Sequence, residues 1–358
     1  MGSTENPIRG RGSPSRIEGR FARTTRESAA DTEALIEDGQ RRGPDTQLMV
    51  ENARSIVSRN QSPDVPFAQS INPYRGCEHG CIYCYARPSH AYMDLSPGID
   101  FETRIFWKPD AADLLRAELA KPGYTCDTMA LGSNTDCYQP AERELQVTRR
   151  ILEVLAECRH PVAIVTKSAL VERDIDILAP MAAAGLARVM ISVTTLDDEL
   201  KRRMEPRTAG PSRRLETIRR LSEAGIPVGV LAAPVIPALN DHELESILSA
   251  GARAGAKSAG YILLRLPHEV APLFSEWLEQ HYPLRRSHVL NQISRMRNGA
   301  LSDPRFGSRM RGSGPLASLL RQRFERACRE HGLNRAETPL VRDGFRPPRA
   351  SGPQLGLF

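Results

Sequence analysis

From about residue 67 onward the apolar positions fall into two alternating rhythms. Short apolar runs at 67–72, 128–131, 162–166, 188–194, 228–232 and 261–264 have the length and composition of buried strands. Between them, 110–120, 142–156, 174–184, 213–224 and 241–254 carry apolar residues at helical spacing, and Ala184-Gly185 and Ala224-Gly225 mark helix ends. Six strand-helix repeats in succession predict an α/β fold with a parallel sheet. Residues 1–65 are rich in Arg, Gly, Ser, Asp and Glu and poor in aromatics; they are expected to be mostly disordered, with a short helix near 46–59. The core is therefore predicted over 66–270 and a helical extension over 271–333, with Trp277, Leu278, Leu316, Leu319, Leu320 and Phe324 on its apolar face. A flexible tail closes the chain over 334–358.

Composition narrows the class. No apolar run approaches the ~20 residues that span a bilayer, and the first twenty residues lack the hydrophobic core of a signal peptide. The seven cysteines are odd in number, with three in one loop, which argues against a disulfide scaffold and for a reducing compartment. A cytoplasmic protein without a membrane partner is expected.

That loop reads Arg75-Gly76-Cys77-Glu78-His79-Gly80-Cys81-Ile82-Tyr83-Cys84-Tyr85. A CxxxCxxC triplet places three thiolates close together and suits a [4Fe–4S] cluster whose fourth iron has no protein ligand. The competing reading is a structural zinc site with His79 as the fourth ligand, although such sites usually come as two separated pairs.

With Tyr83 before the third cysteine, the loop resembles that of radical S-adenosylmethionine (SAM) enzymes. The resemblance implies that Cys77, Cys81 and Cys84 hold the cluster, that its open iron chelates SAM, and that SAM is cleaved reductively to methionine and a 5′-deoxyadenosyl radical, with a flavodoxin- or ferredoxin-like protein as reductant. Periodicity leaves a doubly wound sheet and a barrel both open; the resemblance implies a (β/α)6 partial TIM barrel with the cluster loop after the first strand.

Active sites of such barrels gather at the carboxyl ends of the strands. After the second strand, Gly132-Ser133-Asn134-Thr135-Asp136-Cys137 replaces the family's usual glycine-glycine-glutamate segment, leaving Thr135 or Asp136 to meet the SAM ammonium. Lys167 after the third strand suits the SAM carboxylate, or is a solvated surface lysine. Ser192 and Thr194 offer hydroxyls on one face of the fourth strand, and Val235 and Ile236 after the fifth are apolar enough to pack on adenine.

These positions, with Glu205-Pro206 and Ala233-Pro234, resemble spore photoproduct lyase, a radical SAM DNA-repair enzyme. Asn72-Pro73-Tyr74-Arg75-Gly76 and Asn134-Thr135-Asp136 resemble a bacterial group labelled DNA-repair photolyases. That lyase uses a cysteine after its second strand as hydrogen donor; here Cys137 is the candidate, or else a small buried thiol. Cys126, Cys158 and Cys328 read as structural.

Charge bears on the partner. The chain carries a net +6, yet eleven arginines and only Asp303 and Glu325 lie from Arg285 to Arg329. Such a region can neutralise phosphates of DNA or RNA, or pair with carboxylates of its own core. The last five residues, Gln354-Leu355-Gly356-Leu357-Phe358, resemble the peptide by which replication and repair proteins dock on the bacterial DNA sliding clamp. The expected activity is hydrogen abstraction from damaged or modified nucleic acid, of the DNA-repair lyase kind. Radical modification of RNA or protein, and a clamp-associated Fe–S binding protein without turnover, stand as alternatives.

Overall fold

The six apolar runs form six parallel strands: β1 (Gln69–Ile71), β2 (Met129–Leu131), β3 (Val162–Thr166), β4 (Ala187–Ser192), β5 (Val228–Val235) and β6 (Ser258–Leu263). They pair in sequential order from β1 to β6, as an α/β partial barrel requires. The structure, a computed structural model, describes residues 8–22, 36–37, 40–42, 44–335 and 339–348. Most positions along β2 to β5 are buried, as expected of parallel strands covered by helices.

Helices Ala111–Leu119, Val147–Glu157, Ile175–Ala183, Pro211–Glu223 and Leu244–Arg253 connect the strands. The single helix expected over 142–156 is broken at Gln146, whose φ is 50°. The buried Glu142 carboxylate accepts from the N–H groups of Thr148 at 2.9 Å and Arg149 at 3.3 Å, so it caps the second piece from the start of the first. Among the described residues no helix is long and apolar enough to cross a membrane.

The N-terminal segment departs from expectation. Gln47–Val50 pairs in parallel with Arg104–Trp107, and Val57–Arg59 adds an antiparallel edge beside β1, so two strands stand where a helix was predicted. Their partners lie far along the chain, and pairing overrides local helical periodicity. Residues 11–20 bind buried carboxylates: Glu102 accepts from Gly12 N at 2.9 Å and Ser13 N at 2.8 Å, and Asp100 pairs with Arg16 at 2.8 Å. Polar anchoring substitutes here for the apolar burial the segment lacks. Residues 51–65 are likewise tied down, with Ile56 buried and Asp64 paired with Arg309, while the disorder expected for 1–7, 23–35, 38–39 and 43 falls outside the described residues.

The extension comprises helices Val270–His281, Pro283–Arg295 and Gly314–His331. Trp277, Leu278 and Leu320 are buried and Leu316 and Phe324 partly so, whereas Leu319 faces solvent. Of the tail expected to be flexible, 339–348 packs at the amino ends of the strands. There Val341 N donates to Gly185 O at 2.9 Å, and the Phe345 ring lies 5.4 Å from Tyr124 and 5.5 Å from His160. The Gln354 to Phe358 peptide lies outside the described residues.

Candidate active site

A cavity of about 270 Å³ opens at the carboxyl ends of the strands. Its wall carries Cys77, Cys81 and Cys84, Tyr83 of the same loop, Gly132, Thr135 and Asp136 after β2, Lys167 after β3 and Ser192 at the end of β4. Residues spread over more than a hundred positions thus converge because the parallel topology puts every βα loop at the same end.

The cysteine loop is held by backbone contacts. Cys77 N donates to Phe101 O at 2.9 Å, Ile82 N to Met204 O at 3.1 Å, and Gln139 Nε2 to Gly76 O at 3.1 Å. Arg87, fully buried, donates to Cys81 O at 3.0 Å and pairs with Glu102 at 2.5 Å, the carboxylate that also anchors residues 12 and 13. Gly132 has φ +79°, and a Cβ there would stand 2.0 Å from Val165 O, so the β2 loop passes close over β3 only as glycine.

Burial, and after it the negative charge of Asp136, pushes the Cys77 thiol well up; burial also raises Cys84 and lifts Cys81 to about 12. Such thiols stay protonated in an apolar setting unless iron displaces the proton, since ligating sulfur is thiolate. The donor set therefore fits a cluster. His79 contacts Asp136, Nδ1 to Oδ2 at 3.3 Å. Among the described residues no three His, Cys, Asp or Glu side chains gather around one ion, which thiolates bound to separate irons need not do.

Several expected side chains are committed elsewhere. Thr135 donates to Tyr74 O at 2.9 Å. Asp136 lines the cavity but accepts from Thr166 Oγ1 at 2.7 Å and Lys167 N at 2.8 Å. Although burial pushes its carboxyl up, the His79 charge and these bonds hold it at about 2. Thr194 bonds Glu205 at 2.6 Å and Ala233 O at 2.9 Å and does not line the cavity. Val235 and Ile236 turn into the core because Asn240 Oδ1 accepts from Ile236 N at 2.6 Å and folds the chain back; Leu231, Ala233 and Pro234 form the apolar wall instead. Cys137 is fully buried in the main core and off the cavity wall, its thiol raised well above the usual range by burial, which removes the geometric basis for a donor role.

Lys167 Nζ donates to Ser192 Oγ at 3.2 Å and sits 5.8 Å from the Tyr83 ring. Beneath them is a buried hub. Glu205 accepts from Tyr83, Thr194 and the buried Arg214, which also donates to Ser192 O at 2.9 Å. Burial raises the Glu205 carboxyl, but Arg214 and Lys167 outweigh it and hold it at about 2.

The family is decided by sequence comparison. The family model of the radical SAM superfamily matches residues 71–250, about half the chain. The chain belongs to the radical SAM superfamily. Members use a [4Fe–4S] cluster and SAM, and the three cavity cysteines have the family's spacing. An uncharacterized protein of Mycobacterium tuberculosis is 38% identical over 221 residues, covering 61% of this chain and 65% of the relative. The match thus spans less than two thirds of that relative's length. An uncharacterized protein of Methanocaldococcus jannaschii is 28% identical over 231 residues, 64% of this chain and 82% of its own. Among solved structures, spore photoproduct lyase complexed with dinucleoside spore photoproduct superposes with a TM-score of 0.59 over 80% of each chain, at 17% identity. That likeness concerns the fold.

Sequence reading missed Tyr85 and Arg265, which meet at the cavity mouth with the guanidinium 4.7 Å from the ring centre. Arg265 lies two residues past β6, at the same carboxyl end of the sheet as the other site residues.

Proposed function

We propose that this protein is a radical SAM enzyme that abstracts a hydrogen atom from damaged or modified nucleic acid, in the manner of a repair lyase. When bound, the cluster and SAM supply the 5′-deoxyadenosyl radical, with the electron drawn from a low-potential donor such as a flavodoxin or ferredoxin. Cys77, Cys81 and Cys84 would hold the cluster, and Lys167 with Ser192 would take the SAM carboxylate. Leu231, Ala233 and Pro234 would pack on its adenine.

The observation that carries the substrate class is the mouth of the cavity. Its wall includes Met310 of the arginine-rich extension together with Phe67 and Tyr85, surfaces on which a base can rest. Arg286, Arg305, Arg309 and Arg323 pair with carboxylates, and Arg297 is buried on backbone carbonyls. Arg285, Arg295, Arg311, Arg321, Arg326 and Arg329 are exposed and form no salt bridge among the described residues, leaving them for phosphates. The fold shared with a lyase that binds a dinucleoside photoproduct is consistent with this reading.

The test is anaerobic reconstitution, reduction, and mass-spectrometric detection of 5′-deoxyadenosine, with Cys84→Ala and Lys167→Ala as controls. Product that needs Cys84, with deuterium moving between SAM and a DNA or RNA substrate, is the expected result. A full [4Fe–4S] signal with no 5′-deoxyadenosine in the presence of nucleic acids would turn the reading to a binding protein, and deuterium found only in a protein would overturn the substrate class.

A further inference from the structure

The cavity wall carries two cations, Lys167 and Arg265, and one carboxylate, Asp136. Asp136 is satisfied by His79, Thr166 and the Lys167 backbone, so it neutralises neither cationic head group by hydrogen bonding. SAM bound at a cluster brings a single carboxylate, and Lys167 and Ser192 lie together at 3.2 Å for it. One cation is left over.

Arg265 is half-buried, and among the described residues its guanidinium makes no salt bridge and no hydrogen bond; its near neighbour is the Tyr85 ring. A guanidinium drawn this far from water without an acceptor is costly, and the cost is offset when an anion arrives. Arg309, next to Met310 of the wall, is held by Asp64 at 2.5 Å and so is not free to bind. Burial lowers the Arg265 pKa from the usual arginine value, as expected of a guanidinium drawn out of water. Around it stand Phe67, Tyr85 and Met310, surfaces for an apolar planar body beside an anionic one.

We propose that Arg265 is the anchor for one backbone phosphate of the substrate, placing the adjacent base between Tyr85 and Met310 and in front of the SAM site. The proposal rests on the nucleic-acid reading above. Its recognition is that of a planar fork for a phosphodiester, and its source is DNA or RNA.

The test uses full-length, cluster-loaded protein and fluorescent single-stranded tetranucleotides, followed by anisotropy. One DNA probe has ordinary phosphodiesters and a second has uncharged methylphosphonates; an RNA tetranucleotide forms the third arm. The charged DNA or RNA probe is expected to bind about tenfold tighter than the neutral one. Arg265→Gln should abolish that preference without changing the neutral probe's affinity, and Arg265→Lys should restore part of it. The stronger of the two charged probes names the source. A preference that persists in Arg265→Gln, or an equal loss for charged and neutral probes, overturns the anchor and leaves the nucleic-acid reading standing. If none of the probes binds while 5′-deoxyadenosine still forms, both fall.

Discussion

Glu205 shows how a single side chain joins the chemistry to the fold. It lies in a polar turn, Glu205-Pro206-Arg207-Thr208, and its sequence neighbours give no sign of burial, yet its side chain has no solvent exposure. Tyr83 of the cysteine loop, Thr194 beyond β4 and Arg214 on the following helix all donate to it. Replacing it with Ala leaves Arg214 as an uncompensated buried charge, for which ~3–5 kcal/mol of destabilisation is expected. Because Tyr83 directly precedes Cys84, Glu205→Ala should also lower iron bound per chain after reconstitution. Urea unfolding and iron analysis check the two effects, and a variant with full stability and full iron would show the hub to be dispensable.

At the scale of elements, the two edges of the partial barrel are tied across its open side. Asp64, just before β1, accepts from Gly307 N at 2.7 Å and pairs with Arg309 at 2.5 Å, and Arg309 precedes Met310 on the cavity wall. On the outer edge of β6, Asn334 accepts from Ala259 N at 2.8 Å and donates to Ala259 O at 3.0 Å, mimicking a further strand. Asp64→Ala should free the 303–312 loop, and trypsin cleavage at Arg305, Arg309 and Arg311 is expected to quicken several-fold, roughly in line with ~1–2 kcal/mol of local opening. Unchanged cleavage would place the closure elsewhere. The strand and helix succession of the core was legible because burial repeats with a local period. The clamp was not, since residues 64 and 309 belong to segments whose own patterns are those of loops.

At the scale of the whole molecule, buried histidines carry acid sensitivity, and one of them, His90, lies beside Gly76 of the cysteine loop. Burial lowers His90 from 6.5 to about 4 and His160 likewise to about 4. Between pH 6.5 and 4 the unfolded chain binds protons that the folded chain excludes, so stability falls as pH falls through that window and is fully present above 6.5. Each histidine contributes a slope of up to ~1.4 kcal/mol per pH unit. Urea midpoints measured from pH 7 to 5 should therefore decline, and His160→Gln should remove part of the decline, the rest staying with His90 and with His281, which burial also lowers. A profile identical to that of the unaltered protein would remove His160 from the account.

What the sequence determined by itself was everything with a short physical period or a fixed local spacing. The six strands and their helices follow from burial that repeats every two or 3.6 residues. The cluster loop follows from three thiols within eight positions, and the family from the same loop. Lys167 and Ser192 reach the cavity wall because each follows or ends a strand, and the carboxyl ends of parallel strands lie at one end of the sheet. Tertiary structure alone decided which of the neighbouring polar groups are free. Thr194, Asp136 and Glu205 look as available in the sequence as Ser192 does, but Thr194 and Glu205 lie off the cavity wall and Asp136 is consumed by His79 and Thr166. Ser192, although it donates to Ala233 O at 3.2 Å, stays on the wall beside Lys167. Arg265 resembles a dozen other arginines, and only the fold sets it on the cavity wall with no salt bridge among the described residues. Such hydrogen bonds and ion pairs depend on the three-dimensional path of the chain, and no local pattern encodes them.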